Sequence, residues 1–199
     1  MDLSLNALRA QYEQLFNTCV VDPAHLADIN HVVDRIMPGQ PRYQAVGGPL
    51  GIPWYFIGLV HNMECSLSFN RHLHNGDPLS QRTIHVPANR PPVWNPPSDW
   101  ESSATDALQH QGFAHLADWG LGAVIYRLEG YNGYGYHVVN PPINSPYLWS
   151  FSNHYTKGKY VADHVFDPNA VSSQCGSAVI LFQMVQRGIV QFAPAAGGQ

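Results

Sequence analysis

The stretch from Trp54 to Leu67 narrows the possible folds more than any other part of the chain. It is strongly apolar, Pro53 opens it, and it is too long for an ordinary strand, so it reads as a buried helix. Within it Ile57, Val60, Glu64 and Leu67 follow the 3-4-3 spacing of one helical face. A carboxylate therefore falls on or beside the apolar stripe, one turn past Val60. Desolvation disfavours its charged form, so its pKa is expected to rise. A carboxyl that keeps its proton near neutrality is what a glycosidase needs to protonate a leaving oxygen. The other reading of Glu64 is structural, a side chain bonded to neighbouring backbone or to Arg71.

The rest of the chain frames this helix. An amphipathic segment runs from Leu5 to Phe16. Asp22-Pro23 is an N-cap with proline at the first helical position, and Leu26, Ile29, Val32, Val33 and Ile36 then share a face that stops before Pro38. Pro38 to Gly51, rich in Gly and Pro, is expected to be a loop. His72 to Val86 contains Asn75-Gly76-Asp77-Pro78, a turn signal between short extended pieces, and so predicts a small hairpin. Prolines 87, 91, 92, 96 and 97 favour an extended loop. Helical patterns resume at Ser102–Gln111 and Leu121–Glu129, the latter broken by Gly130. Asp167-Pro168 is expected to cap a last helix carrying Val171, Cys175, Val179, Phe182 and Val185 and closed by Gly188. The expectation is a mainly α (α+β) fold: a single helical domain over residues 1–192, its N-terminal helices within 1–40, with one small β-hairpin beside the active-site cleft. Residues 193–199 are expected to form a flexible tail.

Composition excludes several function classes. Only 12% of the 199 residues are charged, about half the usual share, and the net charge is −4 with no basic run. A nucleic-acid partner needs a positive footprint, so none is expected. Aromatics, amides and hydroxyls suit a neutral polymer instead, above all a glycan. The longest apolar stretch, Ile52 to Val60, falls far short of the ~20 residues of a membrane span, so no membrane insertion is expected. The start, Met-Asp-Leu-Ser-Leu-Asn, lacks the features of a secretory signal, and Cys19, Cys65 and Cys175 read as free thiols. Synthesis in the cytoplasm is expected, with action on the cell wall or periplasm only after release or delivery.

Glutamate is scarce: Glu13, Glu64, Glu101 and Glu129 complete the set. Glu13 reads as a solvated helix residue, and Glu101 as a first-turn complement to the helix dipole. A second carboxylate, Asp77, follows Glu64 in the polar turn His72–Leu79. It is placed either to activate water or simply to build the turn. Thr83, on the return strand, is positioned to hold that water, or is there for its strand propensity.

Ile57-Gly58-Leu59-Val60-His61-Asn62-Met63-Glu64 resembles the helix ending in the catalytic acid of the lysozyme-like superfamily, in its goose-type lysozyme and soluble lytic transglycosylase branch. Leu128-Glu129-Gly130-Tyr131-Asn132-Gly133-Tyr134-Gly135-Tyr136 resembles that branch's Tyr-Asn-Ala-Gly groove motif. The segments His72–Val86 and Ser145–Tyr155 resemble bacterial and phage proteins placed in the same superfamily, so the likeness covers about residues 50–190. It implies a muramidase cutting the β-1,4 bond between N-acetylmuramic acid and N-acetylglucosamine of peptidoglycan. Glu64 is then the acid, Asp77 with Thr83 the water-handling pair, and Tyr131 and Asn132 groove residues. The chain has Cys65 where the branch usually has serine.

His74, Asn75, Glu129, Tyr134, Trp149, Asn153 and Tyr155 complete the expected substrate contacts, because aromatic faces stack on sugars and amides reach hydroxyls. Glu129 also competes for the role of acid. No cofactor or metal is expected, the partner is the peptidoglycan glycan strand, and the protein is expected to act as a monomer. Cleavage by the sugar's own hydroxyl, as in lytic transglycosylases, is the variant outcome. The rivals are a zinc peptidoglycan peptidase or amidase using His72, His74 and His85 with Asp77, a papain-like nucleophile at Cys175, and a silent glycan-binding module.

Overall fold

Ser4 starts the first helix in the usual way, its side-chain oxygen accepting the Ala7 amide. The helix, α1 (Leu5–Asn17), buries Leu8, Tyr12 and Phe16, every fourth residue along one face. Asp22 caps a short 3-10 turn (Pro23–His25) through the Ala24 amide, and α2 (Leu26–Ile36) follows with Ile29, Val33 and Ile36 fully buried. In this computed structural model the described residues are 1–94, 99–162 and 164–193. The chain gathers into two compact units. Residues 1–33 and those from 120 onward form one, and residues 34–119 form the other. The expected tail lies, from residue 194, outside the described residues.

In the 34–119 unit, residues 40–50 are a helix, α3 (Gln40–Leu50), where the Gly and Pro content predicts a loop. Packing overrides propensity here. Pro41 sits in the first turn, where an amide has no helical partner anyway. Gly39 and Gly47 are glycine because neighbours come close: a Cβ on Gly39 would lie 2.5 Å from the Tyr43 ring, and one on Gly47 2.3 Å from the Ile52 carbonyl oxygen. Tyr43, Val46 and Leu50 are buried by the same approach.

The predicted apolar helix is α4 (Trp54–Cys65), buried continuously from Phe56 to Asn62. Ser66 and Leu67 in the left-handed region end it, the Leu67 amide reaching back to the His61 carbonyl. Helix α5 (Trp100–His110) is capped by Asp99, and its Glu101 pairs through both carboxylate oxygens with Arg42. Arg42 also lies over the Phe69 ring at 3.9 Å, closing an aromatic cluster of Tyr43, His61, Phe69 and Trp100.

The other unit adds α6 (Leu121–Asn132), α7 (Pro146–Trp149) and α8 (Ser177–Gln186) to α1 and most of α2. Gly130 does not break α6. It is small because the Tyr134 hydroxyl would stand 2.7 Å from a Cβ there. The two-stranded antiparallel sheet, β1 (Lys159–Ala162) with β2 (Val165–Asp167), pairs Lys159 with Asp167 and Tyr160 with Phe166. The hairpin is therefore not at His72–Val86, where a single bridge between Arg71 and Pro78 is formed. Asp167 ends β2 and accepts the Asn169 and Ala170 amides; α8 begins ten residues later, behind Gly176, and Val171 is exposed. The architecture is mainly helical with one small sheet.

One glycine tests this packing. A Cβ on Gly176 would lie 2.2 Å from the Leu148 carbonyl oxygen and 2.6 Å from the Trp149 nitrogen, both backbone atoms. Gly176→Ala is therefore expected to cost about 1–3 kcal/mol in urea unfolding.

Candidate functional site

The candidate residues divide between the two units, and each set is built from its own unit. In the 34–119 unit, Glu64 occupies the last turn of α4 and is half-buried, between half-buried Met63 and buried Cys65. After the left-handed turn at Ser66 and Leu67 the chain comes back over this helix end. The His72 amide donates to the Asp77 carbonyl at 2.8 Å and the Gly76 amide to the His72 carbonyl at 2.9 Å. Gly76, at φ +76°, rests against the backbone of Glu64, where a Cβ would come 2.6 Å from the Glu64 carbonyl oxygen. Only glycine satisfies both demands. Arg71 donates to the Gly76 carbonyl at 2.8 Å and holds the turn closed. Cys65, next to Glu64, donates its thiol to the His72 carbonyl at 3.2 Å.

Asp77 is the knot of the segment that follows. Its carboxylate is 6% exposed and accepts four hydrogen bonds: from the Ile84 and His85 amides at 2.8 and 2.9 Å, the Asn75 amide group at 3.1 Å and the His85 ring at 2.6 Å. Burial pushes its pKa up, but the His85 ring and the two backbone amides outweigh that and hold it at about 2. Asn75 is likewise turned inward, accepting the Asp77 amide and donating to the His85 carbonyl. Thr83, 1% exposed, donates to the Pro87 carbonyl and accepts the Arg90 amide. These three side chains build the loop.

The histidines of the zinc alternative are also engaged. His72 contacts the Ser103 hydroxyl through Nδ1 and the Gln81 carbonyl through Nε2, both at 2.6 Å. His74 bonds Asp106, which also takes two N–H bonds from Arg90, and His85 faces Asp77. Burial lowers the His74 pKa while Asp106 opposes it. Among the described residues no group of three or more His, Cys, Asp or Glu side chains is arranged to hold a metal ion.

In the other unit Glu129 is 1% exposed near the end of α6. The Tyr12 hydroxyl of α1 donates to its Oε2, and His137 Nε2 lies 3.1 Å from the same oxygen. The Glu129 hydrogen bond raises the His137 pKa against the opposing effect of burial. For Tyr12, burial and then the Glu129 charge push the hydroxyl far above its usual range, so it stays a donor. Tyr131 is half-buried and Asn132 exposed at the α6 end, while Tyr134 lies against Tyr126 and donates to the Tyr126 carbonyl. Trp149, 1% exposed, is part of the core and has no face for a sugar. Asn153 ties the Val20 amide to the Thr18 carbonyl. The Tyr155 hydroxyl accepts the Ser172 amide and donates to the Gly158 carbonyl.

Cys175 is buried, and burial pushes its thiol pKa up, which suits a packed side chain and not a nucleophile. Tyr12, His137, Arg90 and Asp106 were not legible as site residues. Tyr12 looks like one more core position of α1, and nothing in the spacing of His137 marks it as a partner of Glu129. No family model matches the chain, and the chain matches no curated protein and no solved structure.

A pH experiment checks the Asp77 assignment. Its folded pKa lies below the unfolded value, so its stabilisation is fully present above about pH 4 and lost as pH falls toward about 2. Asp77→Asn should lower stability by about 1–3 kcal/mol near neutrality, the usual worth of hydrogen bonds to a charged group. Urea unfolding curves of variant and wild type should converge at the acid end of that window.

Proposed function

We propose that this chain is a peptidoglycan-cleaving glycosidase of the lysozyme type, with Glu64 as the acid that protonates the glycosidic oxygen. One observation carries the reading. A half-buried carboxylate stands at the end of a largely apolar, buried helix, with a polar turn seated on its own backbone through Gly76. The turn is stiffened by Asp77, Arg71 and Cys65, so the chain around Glu64 is pre-set and not reorganised during reaction.

The substrate of the reading is the β-1,4 bond between N-acetylmuramic acid and N-acetylglucosamine. Its first step is proton transfer from Glu64 to the leaving oxygen as positive charge develops on the sugar. The four hydrogen bonds on Asp77 and its low pKa make it a poor proton acceptor, so its part is to brace the turn. Glu64 then serves twice, first as acid and afterwards as base for the attacking oxygen. That oxygen belongs to water in a muramidase and to the sugar's own 6-hydroxyl in a transglycosylase.

Glu64→Gln keeps the shape and removes the proton. It should reduce the clearing of peptidoglycan suspensions by about 10²–10⁴-fold, the usual share of general acid catalysis, with an unchanged melting curve. Clearing at the wild-type rate would sink the reading. Mass spectrometry of wild-type digests separates the two outcomes: reducing ends mark water as the attacking group, and anhydro ends the internal hydroxyl.

A further inference from the structure

Glu129 is more deeply buried than Glu64, and the group it aims is a histidine at a cavity. His137 has one ring nitrogen, Nε2, turned to Glu129 and Tyr12, and its Nδ1 has no protein partner among the described residues. The ring lines a cavity of about 340 Å³, together with Ile143, Asn144, His154, Tyr155 and Lys157. His154 is oriented in the same manner, its Nε2 donating to the Leu15 carbonyl at 2.8 Å and its Nδ1 likewise without a protein partner among the described residues. Lys157 is exposed at the rim, with one ammonium hydrogen bond to Asn169 at 2.8 Å.

We propose that this cavity is a second binding site, one that takes the carboxylate end of a short peptide. A buried carboxylate behind an imidazole fixes which nitrogen faces it and favours the protonated ring, so the outer nitrogen becomes a charged donor. With the Lys157 ammonium at the rim, His137 in the protonated state that Glu129 favours adds a second positive donor to the lining, and none of the described residues lining the cavity is acidic. His154, donating through Nε2, offers Nδ1 as an acceptor, which suits an N–H beside the carboxylate. Pro142, Ile143 and Tyr155 supply an apolar wall for the small side chain of such a ligand. A bare inorganic anion would use the charges and leave both the acceptor and the wall idle. The choice of a peptidoglycan stem peptide as ligand rests on the reading of Glu64; the site itself does not.

The groups facing His137 set the pH behaviour: Glu129 from α6, Tyr12 from α1, Tyr134 beside the ring, and His154 and Lys157 around the cavity. The Glu129 bond raises the His137 pKa, so binding should be strongest below that value and fade as pH climbs through it.

The test is calorimetric titration of the full chain with N-acetyl-D-alanyl-D-alanine, its C-terminal amide and inorganic phosphate, with the His137 ring signals followed by NMR. The free acid should bind about ten-fold or more tightly than the amide, the usual effect of one charge-assisted hydrogen bond, and should shift the His137 signals. Lys157→Gln, at an exposed position, should weaken it several-fold, and His137→Gln about ten-fold or more. Equal binding of acid and amide, no binding of either, phosphate binding as tightly as the peptide, or unmoved His137 signals would each overturn the proposal. Glu64→Gln should bind the peptide as the wild type does. If that variant both binds normally and still clears peptidoglycan, the glycosidase reading fails and the second site stands.

Discussion

Everything around the candidate acid depends on a single carboxylate that is itself no acid at working pH. From Asn70 to Arg90 the chain has little ladder hydrogen bonding, yet His72, Leu73, His74, Gly76, Asp77 and Thr83 are buried. Buried amides must find acceptors, and in this stretch side chains provide them. Asp77 receives two amides and a ring N–H, Thr83 takes the Arg90 amide, and His74 with Arg90 meets at Asp106 of α5. Replace Asp77 or Thr83 and backbone amides are left without those acceptors. The polar turn over Glu64 is closed by its own backbone bonds and by Arg71, and the side-chain network braces the loop that follows it.

The two carboxylates that the sequence marks as rivals have been separated by their surroundings. Glu64 is half-buried at a helix end under a turn, with solvent on one side. Glu129 is enclosed, with a tyrosine hydroxyl and an imidazole already on one of its oxygens. A proton donor must reach its substrate, and a group so enclosed acts on whatever its neighbour touches. Chemistry on a glycosidic bond suits the first environment, and orientation of a histidine suits the second.

How far the fold could be read from the sequence follows from what each signal depends on. Helices α1, α2, α4 and α5 were legible because the Asp22-Pro23 cap and the apolar period are local properties. Helix α3 was not, because Gly39 and Gly47 look like breakers until Tyr43 and Ile52 are seen pressed against them. Asn75-Gly76-Asp77-Pro78 does make a turn, but the strands inferred beside it are absent, and the sheet forms instead between Lys159 and Asp167, where no turn motif announced it. The site divides in the same way. The 3-4-3 spacing placed Glu64 correctly on α4, whereas the union of Tyr12 with Glu129 spans 117 positions and leaves no trace in either neighbourhood.

Cys65 and its two fellow thiols carry one more implication. All three are enclosed, and burial pushes Cys65 up to about 12 and Cys19 up to about 11. Sulfur in that state is slow toward alkylating agents and peroxide, because the thiolate is the reactive form. The folded molecule should therefore pass through an oxidising medium without acquiring bridges or adducts. Labelling by iodoacetamide would report not on surface chemistry but on how often the interior opens, which gives each unit a built-in clock of its own breathing: Cys65 for one, Cys19 and Cys175 for the other.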